Sequence, residues 1–173
     1  QIAREAGLEP LADALLQNPA LVPEVEAEKF VAPDKGIPDA KAALDGARHL
    51  LIERIGEDAK LVGSLREWLW DEGVLRSTVR KGKEKDGAKF ADYFDHSERI
   101  KDMPSHRALA IFRGRNEDIL DVDLDVPHEP DKPHPAELKI RAAFGIADRG
   151  RPADRWLLET VRLAWKVKLS ISL

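Results

Sequence analysis

The stretch MPSHRALAIFRGRNEDILDVDLDV, residues 103–126, changes its hydrophobic period once and so indicates both kinds of secondary structure in this chain. From Pro104 onward the apolar residues recur at helical spacing, with Gly114 as a natural helix stop. From Leu120 apolar residues alternate with aspartates, which is typical of a half-buried strand. Because one strand cannot stand alone, its partner is either segment 74–81, which suits a helix or a strand, or a segment outside this sequence.

Helical spacing recurs through the rest of the chain. The clearest helix is predicted over 38–55, a second over about 58–71, and further helices before residue 17, over about 135–144 and over about 152–169. Gly56 breaks the first pattern, and so short a connection between two helices predicts antiparallel packing. The expected fold is therefore mainly α: an antiparallel helical bundle-like segment with a short strand near 119–126.

Three segments are expected within one continuous folded unit. Residues 1–32 hold short N-terminal helices. Residues 33–101 hold a helical hairpin and a loop anchored by the aromatic residues of FADYF. Residues 102–173 hold a basic helix, the acidic strand and two C-terminal helices. The first residue is not methionine and the last residues are apolar, which leads us to expect a fragment of a longer protein.

The composition narrows the functional classes. The chain has 173 residues, 43% hydrophobic and 35% charged, and a net charge of −4, whereas dedicated nucleic-acid-binding domains are typically basic. It contains no cysteine, which excludes disulfides, thiolate zinc sites and cysteine nucleophiles, and which fits a reducing cytoplasm. No apolar run approaches the roughly 20 residues that span a bilayer, so no membrane partner is expected.

The possible catalytic and metal motifs do not meet the requirements of their chemistry. Residues 95–97 read Asp-His-Ser, but consecutive side chains point apart, whereas a catalytic triad must converge. DVDLDV at 121–126 begins like a calcium loop but lacks its glycine and its final glutamate. The proline-rich segment 127–135 is expected to be too extended to gather its histidines around an ion. We therefore predict no catalytic residue, no metal site and no cofactor.

Two basic regions are candidates for contact with phosphate. The first is segment 76–89, where six cations outnumber two carboxylates, and the second is the helix that begins near Pro104. At 100° per residue, His106 and Arg113 lie within about 20° of each other on that helix. Either region can instead be a solvated surface, or can pair with the acidic stretch 117–131. The nucleic-acid-binding candidates are Arg76, Arg80, Lys81, His106, Arg107, Arg113 and Arg115.

Four blocks of sequence resemble the Tex family of bacterial transcription accessory proteins. They are LEPLADALL at 8–16, AALDGARHLLIER at 42–54, AKFADYFDHSERI at 88–100 and MPSHRALAIFRGRNEDIL at 103–120. The similarity runs in order across essentially the whole chain, and its most specific part is the Ser-His-Arg-Ala-Leu-Ala block that begins at Ser105.

The resemblance implies a cytoplasmic, multidomain and mostly helical protein that binds nucleic acid and is linked to transcription. The family order is a helical region, an RNase H-like domain, helix-hairpin-helix modules and an OB-fold, and this chain resembles the helical region. The family also resembles a eukaryotic elongation factor that works with RNA polymerase, which makes the polymerase a possible partner. No family catalytic residue maps onto this chain.

The resemblance favours a structural role for the block from Ser105 to Arg113. In this interpretation Ser105 caps the helix, and Ala108, Leu109 and Phe112 pack inward. Arg107 and Arg113 then pair either with carboxylates of neighbouring helices or with phosphate. Two hypotheses follow: a non-catalytic scaffold that positions other modules, and a module that contacts DNA or RNA directly through helix 104–115 and loop 76–89.

Overall fold

The computed structural model describes residues 7–169 and shows a mainly α protein with one small sheet, as predicted. The α-helices are α1 (Glu9–Gln17), α2 (Pro23–Glu28), α3 (Ala40–Glu57), α4 (Ala59–Glu72), α5 (Ser105–Asn116), α6 (Pro135–Phe144) and α7 (Asp154–Ala164). The strands are β1 (Val74–Val79), β2 (Asp95–Arg99) and β3 (Leu120–Asp125). Short 3-10 helices cover Pro33–Lys35, Ala88–Tyr93 and Ile100–Asp102, and a π-helix covers Trp165–Leu169.

The described residues form two compact units, one made of 7–65 with 133–169 and the other of 66–132. The first unit is built from both ends of the chain and is helical. The second is contiguous in sequence and contains the whole sheet. The three-segment division at residues 32 and 101 stays a prediction.

Helix α3 is the centre of the first unit. It begins at the N-cap Asp39, whose Oδ1 accepts a hydrogen bond of 2.8 Å from the Ala42 amide. Its apolar stripe is buried, and its main packing neighbours are α1, α2 and α7. The hairpin with α4 stays a prediction. The predicted break at Gly56 is wrong, because the helix continues through that residue to Glu57.

One cation joins α3 to α7. The Arg48 Nε donates to the Thr160 hydroxyl at 3.0 Å, and its guanidinium lies 5.2 Å from the ring centroid of Trp156. Thr160 is buried, and its hydroxyl donates a hydrogen bond to the Trp156 carbonyl oxygen at 2.8 Å. The polar groups at this contact are therefore satisfied, as burial requires.

The turn that leads into α7 is organised by a buried carboxylate. Asp154 is 2% exposed, and its Oδ2 accepts the backbone amides of Arg149 and Arg151 at 2.8 and 3.0 Å. Burial raises the pKa of Asp154, but hydrogen bonds from the Arg151 guanidinium and these two amides outweigh burial and hold it below its ordinary value. The charged carboxylate thus fixes the loop before the helix.

The sheet of the second unit has the order β2-β1-β3, and both pairings are antiparallel. Segment 74–79 is the strand partner of the acidic strand, which resolves the ambiguity in the sequence. Strand β2 was not predicted, because DHSER contains no apolar residue. Its pairing with β1 places His96 opposite Ser77 and Glu98 opposite Leu75, on the face where β1 is buried.

Helix α5 covers that face and completes a hydrophobic core. The core residues come from α5, the turn after it, the sheet and the 3-10 helix before β2: Leu75, Phe90, Ile111, Ile119 and Leu120. On β3 the predicted alternation holds at Leu120 and Val122, while Leu124 is partly exposed. The hydrophobic surface removed from water here is the main stabilising contribution to the unit.

Three expectations for α5 are wrong. Gly114 does not end the helix, which runs to Asn116; the turn is made by Asp118, at a positive φ of 62°. Ser105 does not cap the helix, because Pro104 occupies the cap position and no side chain caps the amides. Leu109 does not pack inward, since 69% of it is exposed.

Candidate nucleic-acid interface

Arg107 joins α5 to the sheet. Its Nη1 donates to both carboxylate oxygens of Glu98, at 2.6 and 2.7 Å, and the ring of His96 lies 3.2 Å from the same carboxylate. Antiparallel pairing puts His96 and Glu98 on the side of the sheet that faces α5. The Arg107 guanidinium therefore reaches Glu98 from the first turn of the helix. One of the two alternatives for Arg107 is thereby realised: it pairs with a carboxylate, although on a strand rather than on a helix.

The two charges stabilise each other. The hydrogen bond from Arg107 is the largest reason why the pKa of Glu98 lies below its ordinary value, with a smaller contribution from His96. The same hydrogen bond raises the pKa of Arg107. Both groups are therefore charged at neutral pH, and the Arg107 cation is compensated within the protein.

Two basic residues lie near aspartates on the other face of the sheet: Arg76 of β1 and Arg80, which directly follows β1. Arg80 donates to Asp121 at 2.9 Å from Nε and to Asp118 at 3.2 Å from Nη1. Arg76 lies opposite Asp123 in the strand register and 4.0 Å from Asp95 on β2. This face of the sheet has mixed charge, so the alternating aspartates act as partners for the basic residues of the neighbouring strand.

The loop after β1 is partly compensated in the same way. Lys89 forms an ion pair with Glu117 at 3.0 Å, and its ammonium lies 5.2 Å from the ring centroid of Phe90. Lys81 is exposed, and its side chain has no hydrogen-bond or ion-pair partner within residues 7–169. The charge of Lys81 is therefore open to solvent, as is that of the exposed Lys85, which also has no such partner among residues 7–169.

The outer side of α5 holds the remaining candidates. His106 and Arg113 are exposed two turns apart, and neither side chain has a hydrogen-bond or ion-pair partner in the described part of the chain. Arg115 is exposed too, and its guanidinium lies 5.1 Å from the ring centroid of Phe112. The seven predicted residues thus divide into three sets. Arg80 and Arg107 are held by carboxylates, and Arg76 has only a 4.0 Å contact with Asp95. The outward group consists of Lys81, His106, Arg113 and Arg115.

The carboxylate to which α5 is tied was not predicted from the sequence. Glu98 lies in a strand without apolar residues, so the hydrophobic pattern does not indicate which of its side chains face inward. The available signal is weak: His96 and Glu98 alternate with Asp95, Ser97 and Arg99, and this polar alternation with period two is compatible with a strand.

Among residues 7–169, none of the helices combines the length and the apolar character that crossing a membrane requires.

Comparisons with known proteins place the chain in a family. The family model described as Tex central region-like matches residues 18–173. Protein YhgF of Escherichia coli is 49% identical over 176 residues, which cover all of this chain and 23% of that protein. Protein tex of Bordetella pertussis is 47% identical over 176 residues, covering 98% of this chain and 22% of its own length.

A human relative is more distant. The S1 RNA-binding domain-containing protein 1 of Homo sapiens is 32% identical over 133 residues, covering 73% of this chain and 13% of that protein. The chain therefore spans less than a quarter of the length of these curated relatives.

Proposed function

Because this chain belongs to the Tex family, we propose that it is a non-catalytic helical scaffold segment of a nucleic-acid-binding transcription accessory factor. In this proposal it positions RNase H-like, helix-hairpin-helix and OB-fold modules that lie elsewhere in a longer protein. The named relatives support a role in transcription, since one is called transcriptional accessory protein Tex and another is named for an S1 RNA-binding domain.

The main support for a scaffold is the compensation of the basic residues by the protein's own carboxylates. The Arg107–Glu98 pair ties α5 to β2, and Arg80 ties β1 to β3. A cation held by a carboxylate at 2.6–3.2 Å has its charge already neutralised, which weakens its attraction for phosphate. Such pairs fix the geometry of a support, which is the task that the proposal assigns to the chain.

The proposal extends to partners and location. Nucleic acid is bound mainly by the other modules, RNA polymerase is a possible protein partner, and the cytoplasm is the place of action. Each of these rests on the family membership rather than on the geometry of residues 7–169.

The alternative function is direct contact with DNA or RNA through helix 104–115 and loop 76–89. The observation that favours it is the outward group, in which His106, Arg113 and Lys81 face solvent without intramolecular partners among the described residues. The guanidinium of Arg113 and the ammonium of Lys81 are able to follow a phosphate backbone, and the imidazole of His106 is able to hydrogen-bond to it.

A gel-shift titration separates the two. The 173-residue chain and the longer protein are titrated against the same single- and double-stranded DNA and RNA probes at several salt concentrations. The scaffold proposal expects the chain to bind at least about tenfold more weakly than the longer protein. Equal affinity would assign binding to this segment and overturn the scaffold proposal.

A matched set of variants then tests the outward group. If the group contacts phosphate, Arg113→Glu and Lys81→Glu together lower the salt slope of binding by about two, and Arg66→Glu, at an exposed cation outside both basic regions, leaves it unchanged. Arg107→Glu is unsuited to this test, because the new carboxylate would face Glu98 and disturb the fold.

A further inference from the structure

We propose that the outer side of α5 is a docking surface for an amphipathic helix from another part of the same longer protein. The surface is formed by His106, Leu109, Ala110 and Arg113, and we call it the α5 docking face. The inference rests on the scaffold proposal and names the surface through which the support holds a neighbouring module.

The spacing of the four residues points to a helical partner. They occupy positions i, i+3, i+4 and i+7, the arrangement that forms a hole for one side chain of a facing helix. Leu109 is 69% exposed, and its neighbour Ala110 is small and half-buried. The core-facing side of the same helix is occupied by Ile111 and Gly114, both buried, so the docking face lies away from the core.

The guanidinium of Arg113 and the hydrogen-bonding imidazole of His106 define the chemistry of the partner. His106 and Arg113 lie at the two ends of the hole, separated by about 10.5 Å of helix rise. The matching partner is a helix that carries two carboxylates seven residues apart and an apolar side chain between them. Its carboxylates would meet His106 and Arg113, and its apolar side chain would meet Leu109. A second copy of this chain does not match, because it would bring Arg113 against a cation or against His106.

Nucleic acid fits the docking face less well than such a helix. Phosphates can satisfy Arg113, but they bury no apolar surface at Leu109, which lies in the middle of the face.

The size of the face favours a partner on the same polypeptide. Four side chains offer far less area than the roughly 1,200 Å² of a stable interface between separate proteins. A segment of the same chain is present at an effective concentration on the order of millimolar, so a small face is sufficient. The relatives supply such segments, since more than three quarters of YhgF and of the Bordetella protein lies outside the matched region.

Hydrogen–deuterium exchange tests the proposal. The exchange of amides 109–116 is measured in the 173-residue chain and in the longer protein, and we expect it to be at least about tenfold slower in the longer protein. Leu109→Glu should return the exchange to the rate of the short chain, and Arg113→Glu should return it in part. Leu138→Glu, at a leucine of α6 that is 48% exposed, is the matched control and should leave the protection intact.

Three results would overturn the docking proposal. They are equal exchange in the two proteins, protection that survives Leu109→Glu, and protection produced in the short chain by adding single-stranded RNA alone. Leucine and glutamate have similar helix propensities, so Leu109→Glu leaves α5 folded, which circular dichroism of the short chain checks.

The gel-shift comparison keeps this proposal separate from the scaffold proposal. Equal exchange together with a large affinity gap refutes the docking face and leaves the scaffold. Equal affinity refutes the scaffold, and with it the docking face, whatever the exchange rates are.

Discussion

Replacing Gly114 with alanine is expected to destabilise the 66–132 unit, although alanine is the better helix former. Gly114 lies inside α5 and is buried against the core. A Cβ at this position would lie 2.5 Å from Cδ1 and 2.8 Å from Cγ of Leu120, and 3.3 Å from Cδ1 of Phe90. Optimal carbon–carbon separations are about 3.5–4.0 Å, so the Leu120 side chain must move by about 1 Å.

The magnitude follows from two opposing contributions. Alanine in a helix interior is favoured over glycine by about 0.8–1.0 kcal/mol. Forcing an additional methyl group into a packed core costs about 1–3 kcal/mol, and the upper half of that range applies because Leu120 is fully buried and has little room to move. The net loss in the free energy of unfolding is therefore about 1–2 kcal/mol.

Urea denaturation followed by circular dichroism and tryptophan fluorescence measures this loss. Gly63 in α4 is the matched control, because a Cβ there meets nothing within 4 Å; Gly63→Ala should stabilise the protein by about 0.5–1 kcal/mol. The same substitution in two helices is thus expected to have opposite signs. A Gly114→Ala protein as stable as the parent, or more so, would refute the described packing of α5 on β3.

Two further predictions concern buried or paired carboxylates. The pKa of Glu98 lies below its ordinary value of 4.5, so the stability that its pair with Arg107 contributes is present above that pH and is lost as the pH falls through the lowered value. Glu98→Gln should therefore be less stable at pH 7 and should lose less stability than the parent on acidification below pH 4.5; parallel pH curves from urea titrations would contradict this. Asp154→Ala leaves the amides of residues 149 and 151 without their acceptor and should cost about 1–3 kcal/mol in the same assay, whereas Arg155→Ala, at an exposed neighbour, should change stability by at most about 0.5 kcal/mol.

The elements with a strong apolar period were predictable from sequence. Helix α3 carries six buried apolar residues at helical spacing. The apolar period changes from helical to alternating between the end of α5 and the start of β3. Burial of an apolar stripe is the main force that stabilises such elements, so the stripe indicates them directly. The partner of β3 remained ambiguous, because Leu75 and Val79 suit both periods.

Features that depend on contacts distant in sequence were not predictable. Gly114 has the local signature of a helix stop, but the residue is glycine because Leu120 and Phe90 leave no space for a Cβ. Leu109 has an apolar side chain at a position that helical spacing alone does not assign to the core or to solvent. Which cations are compensated is decided by strand register, since Glu98 and Asp121 reach their arginines only after the sheet has formed.

The joint between Arg48 and Thr160 also constrains how the polypeptide acquires its structure while it is being made. The two residues are 112 positions apart, and α3 packs against α7 through this joint. At about 5–20 residues per second, the ribosome needs roughly 6–22 s to add the residues between them. Residues 66–132 are synthesised in that interval and are contiguous, so the sheet and α5 can form first. Helix α3 can pack on α1 and α2 as soon as it is made, but the part of its apolar stripe that contacts α7 stays uncovered until α7 has been synthesised.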